Sequence, residues 1–144
     1  MLTDQNGRLV MTKDNWAALV QINNEGNKVR WTSDKQVWGV VEKWDFPRDS
    51  GRTKIEDCDG ITLYKLKLLM EAGFPQGVLL FTICKCETGE GHAVLCVTTD
   101  RGDFILDNRF QKVMAWDDLS RKGYHFLYRT RINGKMTDPW QKIV

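Results

Sequence analysis

The segment from Asp57 to Pro75 constrains the fold more than any other, because it carries the signals for both ends of a helix. Asp57 is a good N-cap, Gly73 suits the first position past the end, and Pro75 cannot continue the helix. The spacing predicts a helix from Cys58 to about Ala72. Its apolar residues, among them Ile61, Leu63, Tyr64, Leu66, Leu68, Leu69 and Met70, cover far more than a narrow stripe. Such a helix belongs at the centre of a fold, with Lys65, Lys67 and Glu71 on a small exposed side.

After Gly77 the period becomes that of strands. Val78 to Cys86, His92 to Thr99, Phe104 to Leu106 and Tyr124 to Ile132 are rich in β-branched and aromatic residues, and turn-forming stretches separate them. A helix over Asp14 to Ile22 is expected earlier, with Trp16, Leu19, Val20 and Ile22 as its apolar stripe and Asn23 to Asn27 ending it. A second is expected over Asp34 to Val41, followed by a loop from Phe46 to Gly51. Helices first and strands after give an α+β class, in which N-terminal helices and the central cysteine-bearing helix pack on an antiparallel sheet.

The 144 residues, 42% of them hydrophobic, are enough for one domain, taken as 1–144, and too few for two ordinary ones. The 21 basic and 19 acidic residues are spread along the chain without a basic run, which argues against a nucleic-acid partner. No stretch approaches the roughly 20 apolar residues of a membrane span, and the first residues lack a signal-peptide pattern. The expectation is a cytoplasmic protein with no membrane insertion. Cys84 and Cys86 project to the same face of a strand and Cys58 is wanted free, so the four cysteines read as reduced thiols.

Cys58 is the centre of the chemical reading. A thiol at a helix N-terminus faces unpaired N–H groups and the positive end of the macrodipole, which favour the nucleophilic thiolate. The carboxylates of Glu56, Asp57 and Asp59 oppose that charge and would keep the thiol near solvent, so activation calls for a histidine. His92 follows the flexible Gly89-Glu90-Gly91 and is better placed than His125, which lies between Tyr124 and Phe126. Asp107 ends the next strand and can fix the histidine tautomer. Cys58, His92 and Asp107 stand in the order of a papain-like catalytic triad.

Bland readings exist for each: a small buried hydrophobe, a structural histidine, a turn former with Asn108. The strand register is a further test. If His92 and Asp107 face each other directly, the turn centres on Thr99-Asp100. A tight turn at Arg101-Gly102 pairs His92 with Gln111 instead, and a bulge near Gly102 is then needed.

A zinc set of Cys84, Cys86, His92 and Cys96 has poor spacing for chelation. Glu56, Asp57, Asp59 and Asp45 offer oxygen ligands for a hard cation near the cysteine, or act as solvated caps.

At these residues the chain resembles the bacterial transglutaminase-like cysteine peptidases, which include the LapG-type adhesin proteases. The resemblance runs from about Trp16 to Arg129. It is carried by Asn23-Asn24, Asp34, Val37-Trp38-Gly39, Trp44, Pro47, Asp57-Cys58-Asp59, Gly73-Phe74-Pro75, His92-Ala93-Val94-Leu95, Leu106-Asp107-Asn108 and Asp118-Leu119. It implies a papain-like, transglutaminase-like fold and a triad of Cys58 as nucleophile, His92 as general base and acid, and Asp107 as its orienter. The substrate implied is a protein or peptide, and no cofactor is required. LapG-like members carry Asp-Cys-Glu-Asp at the cysteine, with acidic residues that look like a calcium site. Here Asp57 matches, Asp59 replaces the glutamate and Gly60 the second aspartate, so Asp57 and Asp59 are the candidate calcium ligands. Trp44 and Asn108 are candidates for a substrate groove, and a phage or prophage setting would fit so bare a core. Acyl transfer to an amine, as in an amidase or transglutaminase, and a non-catalytic binding module are the alternatives.

Overall fold

The computed structural model describes residues 3–28, 57–131 and 141–142, and the structural statements below concern these residues. The expected helix over Asp34 to Val41, the loop from Phe46 to Gly51, and Trp38 and Trp44 lie outside them.

Helix α1 spans Lys13–Lys28 and helix α2 spans Asp57–Glu71. Helix α2 ends as its sequence requires. Gly73 adopts a φ of 93°, its N–H donates to Met70 O at 3.0 Å, and the Phe74 N–H donates to Leu69 O at 3.0 Å. Those paired bonds satisfy carbonyls that the helix itself leaves open, and the positive φ favours glycine.

A 3₁₀ turn at Gln76–Val78 leads into the strands β1 (Leu79–Lys85), β2 (Gly91–Thr99), β3 (Gly102–Leu106) and β4 (Met114–Ala115). Helix α3 (Trp116–Arg121), β5 (His125–Thr130) and β6 (Gln141–Lys142) complete the order. The sheet runs β4-β3-β2-β1-β5-β6, and every named pair in it is antiparallel. Helices on an antiparallel sheet are the α+β class that the sequence pattern implies.

The sheet separates two apolar layers. Leu63, Leu66 and Leu69 of α2 pack with Leu19 and Ile22 of α1 onto Ala93, Leu95, Val97 and Phe81. On the opposite face Leu80, Val94, Ile105, Leu119 and Phe126 form a second cluster, capped by the stacked rings of Trp116 and Phe126 at 3.8 Å. The alternation of Ala93, Leu95 and Val97 with Val94 and Cys96 between the two layers is the two-residue period of a strand covered on both sides.

Several expectations need correction. Helix α1 runs through Asn23 to Asn27 instead of ending there, because these side chains have tertiary partners described below. Trp16 is 37% exposed and meets Phe104 edge-on at 5.3 Å, so it is not a core residue. Lys65 is 1% exposed, whereas Lys67 and Glu71 do lie outward and pair at 3.1 Å. Between the third and the last of the expected strands, where a turn-forming stretch is expected, Trp116 begins a short helix. No helix among the described residues is long and apolar enough to cross a membrane.

Candidate active site

The first turn of α2 meets the start of β2. Thr62 Oγ1 lies 2.6 Å from Cys58 O and 3.2 Å from Ala93 O, joining the residue that carries the thiol to the neighbour of His92. Cys58 is 8% exposed and packs at the margin of the α2-facing cluster, less open than its acidic neighbours suggest. The reason is that α2 is enclosed by α1 and the sheet, and even Asp59 is fully buried.

His92 is 6% exposed and its Nε2 is 2.6 Å from Asp107 Oδ1. Burial disfavours the charged ring, but hydrogen bonds to Asp107 and to Cys58 and the attraction of both groups outweigh it, and the pKa is pushed up to about 9. Nε2 is committed to Asp107, which leaves Nδ1 for Cys58.

Neither expected register holds. Thr99 pairs with Gly102 and Leu95 with Leu106, so the turn falls on Asp100-Arg101, and Gly102 takes a φ of 100° without a bulge between the strands. Continued beyond Leu106, this register sets Asp107 beside Val94, diagonal to His92 on the same face. Diagonal neighbours are within reach of a long side chain, and the imidazole spans the offset.

Asp107 is fully buried and has a partner for each carboxylate oxygen. Oδ1 accepts from His92 and from the Arg109 N–H at 2.9 Å, and Oδ2 accepts from Tyr124 Oη at 2.6 Å. Burial works against its charge, yet these donors hold the carboxyl below the usual range. Tyr124 in turn accepts from Arg109 Nη1 at 2.9 Å, and Arg109 is paired with Glu87. Along the line from Glu87 through Arg109, Tyr124 and Asp107 to His92 each donor thus meets an acceptor.

Sequence reasoning missed Tyr124 and Arg109. Arg109 follows Asp107 by two residues and was legible as a neighbour, but Tyr124 comes from the end of the sheet's other flank and no local signal marks it. His125 is exposed, unlike the buried His92. Asn108 is half-buried beside a cavity of about 350 Å³ that Asn24, Asn27 and Phe110 also line, and Cys58 and His92 do not line it. Trp44 lies outside the described residues, as does the side chain of Asp57.

Among the described residues no group of three or more His, Cys, Asp or Glu is placed to hold a metal ion. Cys84, His92 and Cys96 therefore do not form a zinc site with Cys86. None of the four cysteines forms a disulfide.

The family model described as bacterial transglutaminase-like cysteine proteinase matches residues 1–144. No curated protein sequence matches the chain. The fold is similar to solved structures of LapG from Legionella pneumophila. The EGTA-treated form has a TM-score of 0.61 at 19% identity, over 89% of this chain and 67% of that one. The calcium-bound form has a TM-score of 0.61 at 19% identity, over 88% and 67%. At such identity the likeness speaks for a shared fold, and the family match carries the activity: the chain belongs to the bacterial transglutaminase-like cysteine proteinases and is a cysteine peptidase.

Proposed function

We propose that the chain hydrolyses a peptide bond in a protein or peptide substrate with Cys58 as nucleophile, His92 as general base and acid, and Asp107 as the residue that orients His92. The observation that supports this most is the His92–Asp107 hydrogen bond at 2.6 Å, with Cys58 among the groups that raise the His92 pKa. With a pKa near 9, His92 carries its proton at neutral pH, which is the protonation that a thiolate–imidazolium pair needs.

The Cys58 sulfur attacks the carbonyl carbon, forming a C–S bond and a tetrahedral oxyanion. The backbone N–H of Cys58, in the first turn of α2, is one donor to that oxygen. His92 gives its proton to the amine nitrogen as the C–N bond breaks, leaving a thioester on Cys58. A water molecule then attacks the thioester, His92 takes its proton, and the C–S bond breaks to release the acid and restore the thiolate. An amine in place of that water would give acyl transfer. Trp44 and Asn108 remain the groove candidates.

The experiment is to incubate the protein, and its Cys58→Ala variant, with a proteome-derived peptide library with and without methylamine. New peptide termini that vanish with Cys58→Ala support hydrolysis. Methylamides in their place would move the assignment to acyl transfer, and no Cys58-dependent product would leave the binding module.

Calcium is a second reading, favoured by the calcium-bound form of LapG and by the acidic pair Asp57 and Asp59 beside Cys58. No step above passes through it. A melting temperature that calcium raises over EGTA, and that Asp59→Asn makes insensitive, would support it; identical melting in both would remove it.

A further inference from the structure

Among the described residues, Lys65 is a fully buried basic side chain that the chemistry above does not use. Its amine donates to Asn23 Oδ1 at 2.8 Å, and both residues are essentially without exposure. Its alkyl stem crosses α1 at Gly26, where a Cβ would come within 2.5 Å of Lys65 Cγ and 2.7 Å of Cε. Glycine is thus the residue that lets the lysine pass. Burying an amine is costly and lowers its pKa to about 7 against the attraction of Asp107, so its retention in a packed interface calls for a reason.

The reason lies in what Asn23 does with its other end. Asn23 Nδ2 donates to Phe110 O and to Gln111 O, each at 3.1 Å. One turn later Asn27 Nδ2 donates to Phe110 O at 3.1 Å and to Asp107 O at 3.3 Å. Helix α1 therefore grips the carbonyls of the segment that begins with Asp107. An asparagine amide can flip, but the Lys65 amine donates to the oxygen of Asn23, which turns both amide hydrogens toward the segment.

We propose that Lys65 is a positioning residue: by fixing the amide of Asn23 it holds the backbone of 107–111, and so keeps the Asp107 carboxylate where Oδ1 meets His92. This rests on the assignment of Asp107 as the orienter of His92. Tyr124 and the Arg109 N–H hold the carboxylate from its front, while Lys65 and the two asparagines hold its backbone from behind.

The test uses Lys65→Met, which keeps the stem and removes the donor, in the full chain. His92 is titrated by NMR, and the iodoacetamide labelling rate of Cys58 is measured at pH 6. The His92 midpoint should fall by about one unit toward the ordinary value, and labelling should slow about tenfold, as misplacement of a supporting group does. With Asp107 still in place the midpoint would hold, because the Lys65 amine, with a pKa of about 7, is already neutral where His92 titrates near 9, so a midpoint at or above that of the unsubstituted protein overturns the proposal. If Lys65→Met does not fold, Gly26→Ala decides, since it displaces the stem and keeps the amine: a fall in the midpoint and rate supports the proposal, and unchanged values overturn it. Were the unsubstituted protein to lack His92-dependent labelling of Cys58, the triad assignment itself would fall. Were it to label and Lys65→Met to match it, only the role of Lys65 would fall.

Discussion

His92 and Asp107 are joined at 2.6 Å although the strands that carry them leave them diagonal in register rather than opposite. Oδ2 of Asp107 faces Tyr124 while Oδ1 faces His92. A carboxylate fixed at both oxygens cannot rotate, and its bond to Nε2 sets the tautomer of the imidazole.

Asp107→Asn should return the His92 midpoint from about 9 toward 6.5. Because the folded-state pKa of His92 is raised, its pairing stabilises the fold fully below about pH 6.5, and that contribution is lost as pH rises through about 9. The melting temperature of the unsubstituted protein should therefore decline toward that of Asp107→Asn across this window. A constant gap between the two from pH 6 to 10 would contradict the coupling.

Tyr124→Phe removes a buried donor to a charged acceptor. Hydrogen bonds of that kind contribute about 1.5–3 kcal/mol, and denaturant unfolding should show a loss of that order. In a double-mutant cycle with Asp107→Asn the two losses should overlap by about 1 kcal/mol or more. Simple additivity would mean that the two side chains do not act on each other.

Thr62→Val keeps shape and burial but removes the hydroxyl between Cys58 O and Ala93 O. The expected cost is about 1 kcal/mol of stability, with slower labelling of Cys58 by iodoacetamide as α2 loses a tie to β2. An unchanged labelling rate would show that the hydroxyl does not align the thiol with His92.

The other cysteines should separate by environment. Burial pushes the Cys96 thiol up to about 12, so Cys96 should stay unlabelled in the folded protein, with Cys84, which is fully enclosed. Cys86 is the competitor: the Thr88 hydroxyl at 3.0 Å lowers its pKa from the ordinary value. Thr88→Val should slow labelling of Cys86 and leave Cys58 unaffected, as peptide mass mapping would read directly.

The helix from Asp57, its glycine stop and the strand order were legible because each rests on local signals, cap chemistry and two-residue alternation. Cys58, His92 and Asp107 were legible as types in an order, and the structure joins His92 to Asp107 at 2.6 Å. What the sequence did not carry was long-range. The hairpin turn falls between the two expected positions, since several polar residues near Asp100 to Gly102 suit a turn equally well. Lys65 was placed outside by its charge, whereas Asn23 and the gap at Gly26 draw it in from another helix. The same asparagines read as a helix end because their side chains compete with the helix backbone in isolation, and in the fold they serve carbonyls of the 107–111 segment instead.

The most direct measurement is iodoacetamide labelling at about pH 6 with peptide mass mapping, on the unsubstituted protein and on His92→Ala. An activated Cys58–His92 pair gives modification of Cys58 that is fast in the first and abolished in the second, with Cys86 labelled to the same extent in both. Equal, slow labelling of Cys58 in the two proteins would contradict it and leave Cys58 an ordinary thiol.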